Sequence, residues 1–381
     1  MPRPRVLTVI GTRPEAIKMA PVVRAFASRP EVEHRVALTG QHTDLVDRIM
    51  EAFGIEASYD LALMKPGQTL YDIGRACLEG MRDVLRDFRP DVTLVQGDTA
   101  TVFFTGLTSF FEKGRLGHVE AGLRSHEKWS PFPEEILRRM VDTLSDYCFA
   151  PTRRAAKNLT GEGMPASSIF VTGNTVVDAL HQVSAARVPV QDPTLARALT
   201  SGRRLVLLTA HRRESFGAPI RELFGAVKEL AARYDDVQIL YPVHPNPQVR
   251  GPAEEILAGQ AGIELLEPLS YTDLIHALEN ADLVLTDSGG IQEEAPTFGT
   301  PVLVLRDVTE RPEGVDAGVA TLVGTDPDRI LEAAGTILAC EGKREDAPNP
   351  YGDGLAGARI ADIVVADLTD VPRVTQDWDA G

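Results

Sequence analysis

The chain has 381 residues, 43% of them hydrophobic and 25% charged, which is ordinary globular composition and enough length for two domains. Its formal net charge of −16 disfavours a general binder of nucleic acid or membrane surfaces, since both partners are anionic, but permits a small anionic ligand held by local basic residues. Three cysteines without CxxC spacing argue against a disulfide framework or a zinc site. The apolar runs are short, and the immediate strand-like start leaves no room for a signal peptide, so we predict a cytoplasmic protein.

Short apolar runs alternate with amphipathic segments of helical length. Strands are predicted in the first half at residues 6–10, 34–39, 92–96, 117–120, 147–150 and 169–172. In the second half they are predicted at residues 205–210, 237–243, 263–266, 283–287 and 302–305. Segments such as "LYDIGRACLEGMRDVLRDF" and "PIRELFGAVKELAARY" predict the intervening helices. Near-continuous apolar strands alternating with helices are typical of parallel sheets covered on both faces, so the predicted class is α/β.

The segment 182–204 contains no strong strand and separates the two series. We therefore predict two Rossmann-like domains, residues 1–172 and 173–356, with a ligand-binding cleft between them. A lone amphipathic helix at about 357–370 follows the second domain.

Ionisable or glycine-rich loops follow six of the predicted strands. Because ligands of open α/β sheets bind at the carboxyl ends of strands, this coincidence predicts an enzyme. The residues concerned are Arg13 and Lys18 in "GTRPEAIK", Asp98 in "GDTAT", Glu120 in "GHVEAGLRS", His211 and Arg212 in "HRRES", His244 in "HPNP", and Ser288, Gly289, Gly290 and Glu294 in "SGGIQEE".

Each of these residues also has a purely structural interpretation. Arg13 and Lys18 could be solvated, although cations are slightly unfavourable in a first helical turn, which favours an anion site. Asp98 could form a turn or cap a helix. His211 and His244 could be polar loop residues, although two at equivalent strand ends are less expected.

The glutamates of "SPFPEEILRR" have a strong structural alternative. Glu134 and Glu135 would lie in a first helical turn, where acidic residues are favoured. Each has an arginine four residues on, Arg138 and Arg139, that could pair with it. The same alternative covers the two glutamates of "TDSGGIQEEAP".

Two segments match the dinucleotide fingerprint but lack its context. "GDGLAG" at 352–357 follows no strand, and "GEGMPA" at 161–166 follows a helical pattern and contains a proline. Since the fingerprint works only between a strand and a helix, neither predicts an NAD site. The sequence also lacks a P-loop and the HExxH and HxE…CxxC zinc motifs.

Taken together, the loops resemble the non-hydrolysing UDP-N-acetylglucosamine 2-epimerases of bacteria. The matching segments include "GTRPEAIKMAPV", "VQGDTATV", "GHVEAGLRS", "SPFPEE", "TAHRRESFG", "TDSGGIQEEAP" and "GTPVLVLRDVTERPE", in order along the chain. The resemblance implies a glycosyltransferase-B-like fold that closes on UDP-GlcNAc, a last helix that returns to the first domain, and a homodimer. It also implies reversible conversion of UDP-GlcNAc to UDP-ManNAc for cell-surface polysaccharide synthesis, through elimination of UDP to 2-acetamidoglucal and re-addition, with no NAD and no catalytic metal.

The resemblance also implies roles for individual residues. The acid–base group would be Asp98, Glu120 and Glu134. The departing diphosphate would be stabilised by His211 and Arg13, with Lys18 and Arg311 nearby. Phosphate contacts would come from Ser288, Gly289 and Gly290, and Glu294 would bind the ribose. A second, activating UDP-GlcNAc would be held by Gln41, His42, Gln68, Arg212 and His244, although Gly67 stands where some members carry an arginine.

Other functions on the same scaffold stay open from the residues alone. A hydrolysing epimerase would release free ManNAc, and a glycosyltransferase would use the same UDP cradle. A non-catalytic UDP-sugar sensor would have no need of three carboxylates at positions 98, 120 and 134.

Overall fold

The computed structural model describes residues 3–40, 44–63, 65, 67–340 and 349–379. The chain divides into two compact units, Met1–Ala179 with Tyr351–Gly381, and Leu180–Pro350. The division thus falls after Ala179 and after Pro350, whereas the sequence places it after residues 172 and 356. Local hydrogen bonds account for this difference, because the Asn174 amide donates to Tyr351 O and buried Asp178 accepts from the Ala356 and Gly357 amides.

The first unit is built on a seven-stranded sheet in which every pairing is parallel, with the order β3-β2-β1-β4-β5-β6-β7. The strands are β1 (Arg5–Ile10), β2 (Glu33–Leu38), β3 (Tyr59–Asp60), β4 (Val92–Gln96), β5 (Arg115–Val119), β6 (Tyr147–Ala150) and β7 (Ile169–Val171). Its central strands are buried along nearly their whole length, as expected for a sheet covered on both faces.

Helices connect these strands and cover the sheet. They are α1 (Arg13–Ala27), α2 (Asp44–Phe53), α3 (Leu70–Phe88), α4 (Ala100–Phe111), α5 (Glu134–Leu144), α6 (Arg153–Gly161), α7 (Thr175–Ala186), which continues into the second unit, and α15 (Ala356–Leu368). Helix α15 packs closely on α1, since a Cβ on Gly357 would lie 2.8 Å from the carbonyl of Pro21. Helix α4 begins at the cap residue Thr99, whose hydroxyl accepts from the Val102 amide.

The second unit has a six-stranded sheet, also parallel throughout, with the order β10-β9-β8-β11-β12-β13. The strands are β8 (Arg204–Thr209), β9 (Val237–Pro242), β10 (Ile263–Leu266), β11 (Leu283–Thr286), β12 (Val302–Val304) and β13 (Ala320–Leu322). The helices are α8 (Pro193–Leu199), α9 (Ala218–Arg233), α10 (Pro247–Leu257), α11 (Tyr271–Asn280), α12 (Gly289–Glu294), α13 (Pro312–Asp316) and α14 (Pro327–Ala339).

Two apolar clusters hold this second sheet, one on each face. One packs α9, α10 and α14 against strands β8 and β9. The other packs α8 and α11 against the opposite side chains of β8, β11 and β12. The strand order changes direction at β8 and β11, which is where ligands of such sheets usually bind. Among the helices that the structure describes, none has the length and apolar character that a bilayer crossing requires.

Candidate functional site

The loop after β1 places two cations of the first unit in different environments. Arg13 is the first residue of α1, half-buried, and forms no ion pair with any described residue. Lys18 lies about one turn later, and its Nζ is 2.5 Å from Glu120 Oε1. Lys18 therefore contacts a predicted acid–base residue, whereas the sequence places it near the diphosphate.

Glu120 follows β5 in a left-handed backbone conformation with φ of 69°. Such a conformation is uncommon outside glycine and is often found at functional sites. One carboxylate oxygen accepts from Lys18 and the other from the Gln96 side-chain amide. Glu120 is thus held by a cation of helix α1 and by the last residue of β4.

Asp98 follows β4 and is partly exposed. Its carboxylate is ion-paired with the Arg138 guanidinium. The cap of α4 is the next residue, Thr99, so the alternative that Asp98 caps this helix is wrong. Its carboxylate is instead fixed by a cation.

The helix-start alternative for Glu134 and Glu135 predicts pairs with arginines four residues on, and the structure does not contain them. Arg138 binds Asp98 and is 3.5 Å from Glu135 Oε2, while Arg139 pairs with Glu162. Glu135 is buried and accepts from the Ser125 and His126 amides.

Glu134 is half-buried at the start of α5. Its carboxylate forms no hydrogen bond or ion pair with the residues that the structure describes. Of the three predicted acid–base carboxylates, it is therefore the one that no described cation holds.

A buried network that the sequence analysis misses supports two of these loops. Asp142 Oδ1 is 2.6 Å from His118 Nδ1, and His118 Nε2 is 2.7 Å from the carbonyl of Gly97, beside Asp98. Asp142 Oδ2 accepts from Arg124 at 2.7 Å and from the Gly122 amide at 3.2 Å, just after Glu120. Burial acts to raise the pKa of Asp142, but the contacts with His118 and Arg124 outweigh it and lower the pKa below its usual value.

Of the predicted activator residues in the first unit, Gln41 and His42 lie outside the described residues. Gln68 is described and bonds locally: its oxygen accepts from the Lys65 amide and its nitrogen donates to the Leu63 carbonyl. An activator role for these residues stays a prediction.

In the second unit, His211 follows β8, and buried Asp287 contacts both its backbone amide and its ring. The amides of His211 and Arg212 donate to Asp287 Oδ2 at 2.7 and 2.8 Å, and His211 Nδ1 is 3.3 Å from Oδ1. The His244 ring stacks on that of His211 with centroids 5.5 Å apart. Burial lowers the pKa of His211, and the nearby His244 and Arg212 lower it further against the opposing effect of Asp287.

The glycine-rich stretch after β11 begins helix α12, with Ser288 as cap residue. The Ser288 side chain makes no capping hydrogen bond, and its own amide donates to Thr286 Oγ1. Gly289 lies against Arg311, since an added Cβ would be 3.0 Å from the guanidinium carbon. Gly290 is exposed, and a Cβ there would come no closer than 3.8 Å to Glu294 Oε1.

The two glutamates of α12 differ in environment. Glu293 is buried, and its Oε1 accepts from Arg311 Nε at 2.9 Å. Glu294 is half-buried, one turn after Gly290 on the same helix. The sequence analysis considers Glu293 only as a helix-start acid and misses its contact with Arg311, because the helix-start pattern carries no information about partners elsewhere in the chain.

No group of three or more His, Cys, Asp or Glu side chains that could hold a metal ion occurs among the described residues. The described polar groups of the strand-end loops include carboxylates paired with cations in the first unit, and histidines, arginines and backbone amides in the second.

Two Rossmann-like α/β domains with charged loops at the carboxyl ends of their strands define an enzyme of the glycosyltransferase-B-like class. The family model described as UDP-N-acetylglucosamine 2-epimerase matches residues 24–365, and the chain belongs to that family. Membership identifies the chain as an isomerase.

Individual relatives cover nearly the full length. The UDP-N-acetylglucosamine 2-epimerase of Escherichia coli strain K12 is 46% identical over 376 residues, covering 94% of this chain and 98% of its own. The structure of Staphylococcus aureus MnaA with UDP has a TM-score of 0.87 at 40% identity and covers 99% of this chain and all of its own. The Neisseria meningitidis UDP-GlcNAc 2-epimerase bound to UDP-GlcNAc has a TM-score of 0.84 at 40% identity and covers 95% of this chain and all of its own.

Proposed function

We propose that this enzyme interconverts UDP-GlcNAc and UDP-ManNAc by inverting C2 of the sugar. Family membership supports the reaction, and one observation carries the assignment of residues. Asp98 and Glu120, on loops after neighbouring strands, are each fixed by a cation, while Glu134 has no such partner among the described residues. This is a set of carboxylates that can accept and return a proton.

The chemistry explains why carboxylates are needed in this reaction. The C2 proton is not next to a carbonyl, so simple deprotonation is difficult. Removal of that proton while the C1–O bond breaks places the electron pair in a C1–C2 double bond and releases UDP. Protonation of C2 from the opposite face and return of the UDP oxygen to C1 then give the epimer. We assign the proton transfers to Asp98, Glu120 and Glu134.

Stabilisation of the departing diphosphate is the second requirement, since its charge develops as the C1–O bond breaks. In the second unit, His211, the start of α12 and Arg311 offer donors that their neighbours already fix. We assign the phosphates to Ser288, Gly289, Gly290, His211 and Arg311, with Arg13 contributed by the first unit, and we assign the ribose hydroxyls to Glu294.

The test is incubation with UDP-GlcNAc in D₂O without added NAD, followed by NMR of the sugar. We expect UDP-ManNAc with deuterium at C2. Release of free ManNAc would instead identify a hydrolysing epimerase, and the absence of both epimer and exchange would refute the proposal. Asp98→Asn and Glu120→Gln should lose turnover far more than UDP binding, and near-normal turnover in either variant would remove that residue from the set.

We further propose that the enzyme is a cytoplasmic homodimer that supplies UDP-ManNAc for polysaccharide synthesis. The end of α4 carries two exposed aromatic residues, Phe110 and Phe111, 59% and 62% exposed, which is the kind of apolar surface that a partner covers. Light scattering should give twice the chain mass, and Phe110→Ser combined with Phe111→Ser should lower it. A monomeric parent protein would refute this part.

We also propose that the activating UDP-GlcNAc is bound by Gln41, His42, Gln68, Arg212 and His244. Arg212 is half-buried beside His211, and its side chain is not ion-paired with described residues, which supports contact with an anion. Arg212→Gln should abolish the rate increase that added UDP-GlcNAc gives with UDP-ManNAc as substrate, and an unchanged increase would exclude Arg212.

A further inference from the structure

We propose that Glu15 is a positioning residue of the epimerase reaction, which fixes the loops after β1 and β4 to each other and thereby sets the position of Asp98. The inference rests on the acid–base role proposed for Asp98. Glu15 is buried and its carboxylate is occupied by hydrogen bonds from the two loops, so its effect acts through neighbouring residues.

Glu15 lies in the first turn of α1 with only 3% of its surface exposed. Its Oε2 accepts from the Gly11 amide at 2.6 Å, across the turn that leaves β1. Its Oε1 accepts from the Thr12 and Thr99 hydroxyls, each at 3.0 Å. One buried carboxylate therefore joins the loops that follow two adjacent strands.

Thr99 transmits this contact to Asp98, its neighbour in the chain. Its Oγ1 donates to Glu15, accepts from the Val102 amide at the start of α4, and is 2.9 Å from the Thr101 hydroxyl. Asp98 is therefore constrained in two ways, by Arg138 at its carboxylate and by the Glu15 network through the adjoining residue Thr99.

The loop backbone packs tightly around the Glu15 carboxylate. A Cβ on Gly11 would lie 2.6 Å from Thr101 Oγ1 and 3.1 Å from Glu15 Oε2. A Cβ on Gly40 would lie 1.8 Å from the Gly11 carbonyl oxygen. Because glycine is required at both positions, the carboxylate and the two loops form one closely packed unit.

Electrostatics gives the contact a measurable signature. Burial raises the pKa of Glu15 to about 7, the hydrogen bonds from Gly11, Thr12 and Thr99 oppose this rise, and the charge of Asp98 adds to it. The ionisable groups near it on other elements are Asp98 and buried Cys77 of α3. On its own helix Arg13 and Lys18 lie within one turn. Ionisation of Glu15 adds a negative charge beside the loop that carries Asp98, so turnover should respond to pH near 7.

Glu15→Gln tests the proposal because it keeps the size of the side chain and one acceptor. We expect kcat to fall about 10- to 100-fold, as misplacement of a reacting group does, with KM within about threefold of the parent value. The step near pH 7 in the kcat profile of the parent enzyme should also disappear. A folded variant with parental kcat and pH profile would overturn the proposal.

Asp178→Asn is the matched control. Asp178 is a buried carboxylate of the same unit with a pKa raised, mainly by burial, to about 6, and it accepts from the Ala356 and Gly357 amides rather than from the strand-end loops. Asp178→Asn should change the free energy of unfolding about as much as Glu15→Gln does. It should keep the parental dependence of kcat on pH. If it loses kcat equally, Glu15 has no specific role.

If Glu15→Gln does not fold, Thr99→Val is the alternative variant, because it removes the hydroxyl that donates to Glu15 Oε1. It should lower kcat without changing KM. Parental kcat in Thr99→Val would equally refute the proposal. Failure of the parent enzyme to epimerise UDP-GlcNAc would instead refute the function, so the two failures are distinguishable.

Discussion

Arg311 and Glu293 form a partly buried ion pair at the start of α12, with Arg311 Nε 2.9 Å from Glu293 Oε1. Glu293 is 3% exposed, and the side chain of Arg311 is 24% exposed. The pair holds the guanidinium against Gly289, at the place where the proposed phosphate contacts lie. Arg311 is therefore oriented before ligand binds, which lowers the entropy that binding must overcome.

Removing Glu293 should release Arg311. We expect Glu293→Ala to weaken UDP binding about tenfold, because Arg311 must then be ordered by the ligand itself. Isothermal titration with UDP measures the change. Glu229→Ala is the control, because Glu229 pairs with Arg233 on an exposed face of α9, and it should leave UDP affinity unchanged. Equal affinity in Glu293→Ala and the parent would contradict the proposed orientation of Arg311.

A side chain at Gly289 should displace the Arg311 guanidinium. In Gly289→Ala the new Cβ would be 3.0 Å from Arg311 Cζ and 3.1 Å from Nη1, so the guanidinium must move. We expect weaker UDP binding with little loss of stability. Gly225 lies within α9 with open space around its Cβ position, so Gly225→Ala should stabilise the protein by about 0.5–1 kcal/mol and keep UDP affinity. Thermal unfolding and UDP titration of both variants separate the two effects.

Lys18 and Arg13 should have different roles. Because Lys18 contacts Glu120, Lys18→Gln should lower kcat at least tenfold and leave the UDP dissociation constant within about threefold. Arg13 has no carboxylate partner among the described residues. Arg13→Gln should therefore weaken UDP binding rather than lower kcat. Steady-state kinetics and UDP titration of each variant make the comparison. A Lys18 variant that loses UDP affinity but keeps kcat would restore the sequence-based assignment of Lys18 to the diphosphate.

Glu310 should contribute stability that depends on pH. Burial acts to raise its pKa, but hydrogen bonds from Arg306 and the backbone and the charges of Arg306 and Arg311 lower it to about 2. A carboxylate with a depressed pKa in the folded state stabilises the protein above the unfolded value of 4.5 and loses this contribution as pH falls towards 2.

Glu310→Gln should therefore lower the free energy of unfolding by about 1–3 kcal/mol at pH 7, and by less at pH 3.5. Urea unfolding at both pH values measures the difference. Glu255→Gln serves as the control, since Glu255 pairs with Arg221 at the surface and should change stability little. If the stability that Glu310→Gln loses relative to the parent is larger at pH 3.5 than at pH 7, the expected pH dependence is wrong.

The sequence predicts the strands well because nearly continuous apolar runs are a direct consequence of burial on both faces. The observed strands that were predicted begin and end within two residues of the predicted positions. The two strands not predicted, β3 and β13, lie at sheet edges and have two and three residues. Of their residues only Ala320 is buried, so these short strands carry little apolar signal.

The partners of the site residues are harder to predict than their positions. Lys18 and Glu120 are 102 residues apart, and nothing local indicates that they meet. Arg138 is where an i,i+4 rule expects a partner for Glu134, but it binds Asp98 because the loop after β4 brings a carboxylate within reach. Motifs identify the strand ends, whereas the choice of partner depends on how several loops pack together.

Asp142 should be the buried carboxylate whose loss affects both proton-transfer loops. It contacts His118, Arg124 and the Gly122 amide, and His118 in turn bonds the carbonyl before Asp98. Asp142→Asn leaves the buried Arg124 charge less compensated, so we expect the free energy of unfolding to fall by about 3–5 kcal/mol.

A second effect of Asp142→Asn should be faster hydrogen exchange at the Gly122 amide and lower kcat, since the loops of Asp98 and Glu120 lose their shared support. Asp146→Asn is the control, because Asp146 is exposed and, among the described residues, its carboxylate accepts only from the Leu116 amide near the amino end of β5. This variant should keep both exchange rate and kcat. If Asp142→Asn loses stability but retains parental kcat in the folded fraction, the network supports the fold and not the geometry of the acid–base residues.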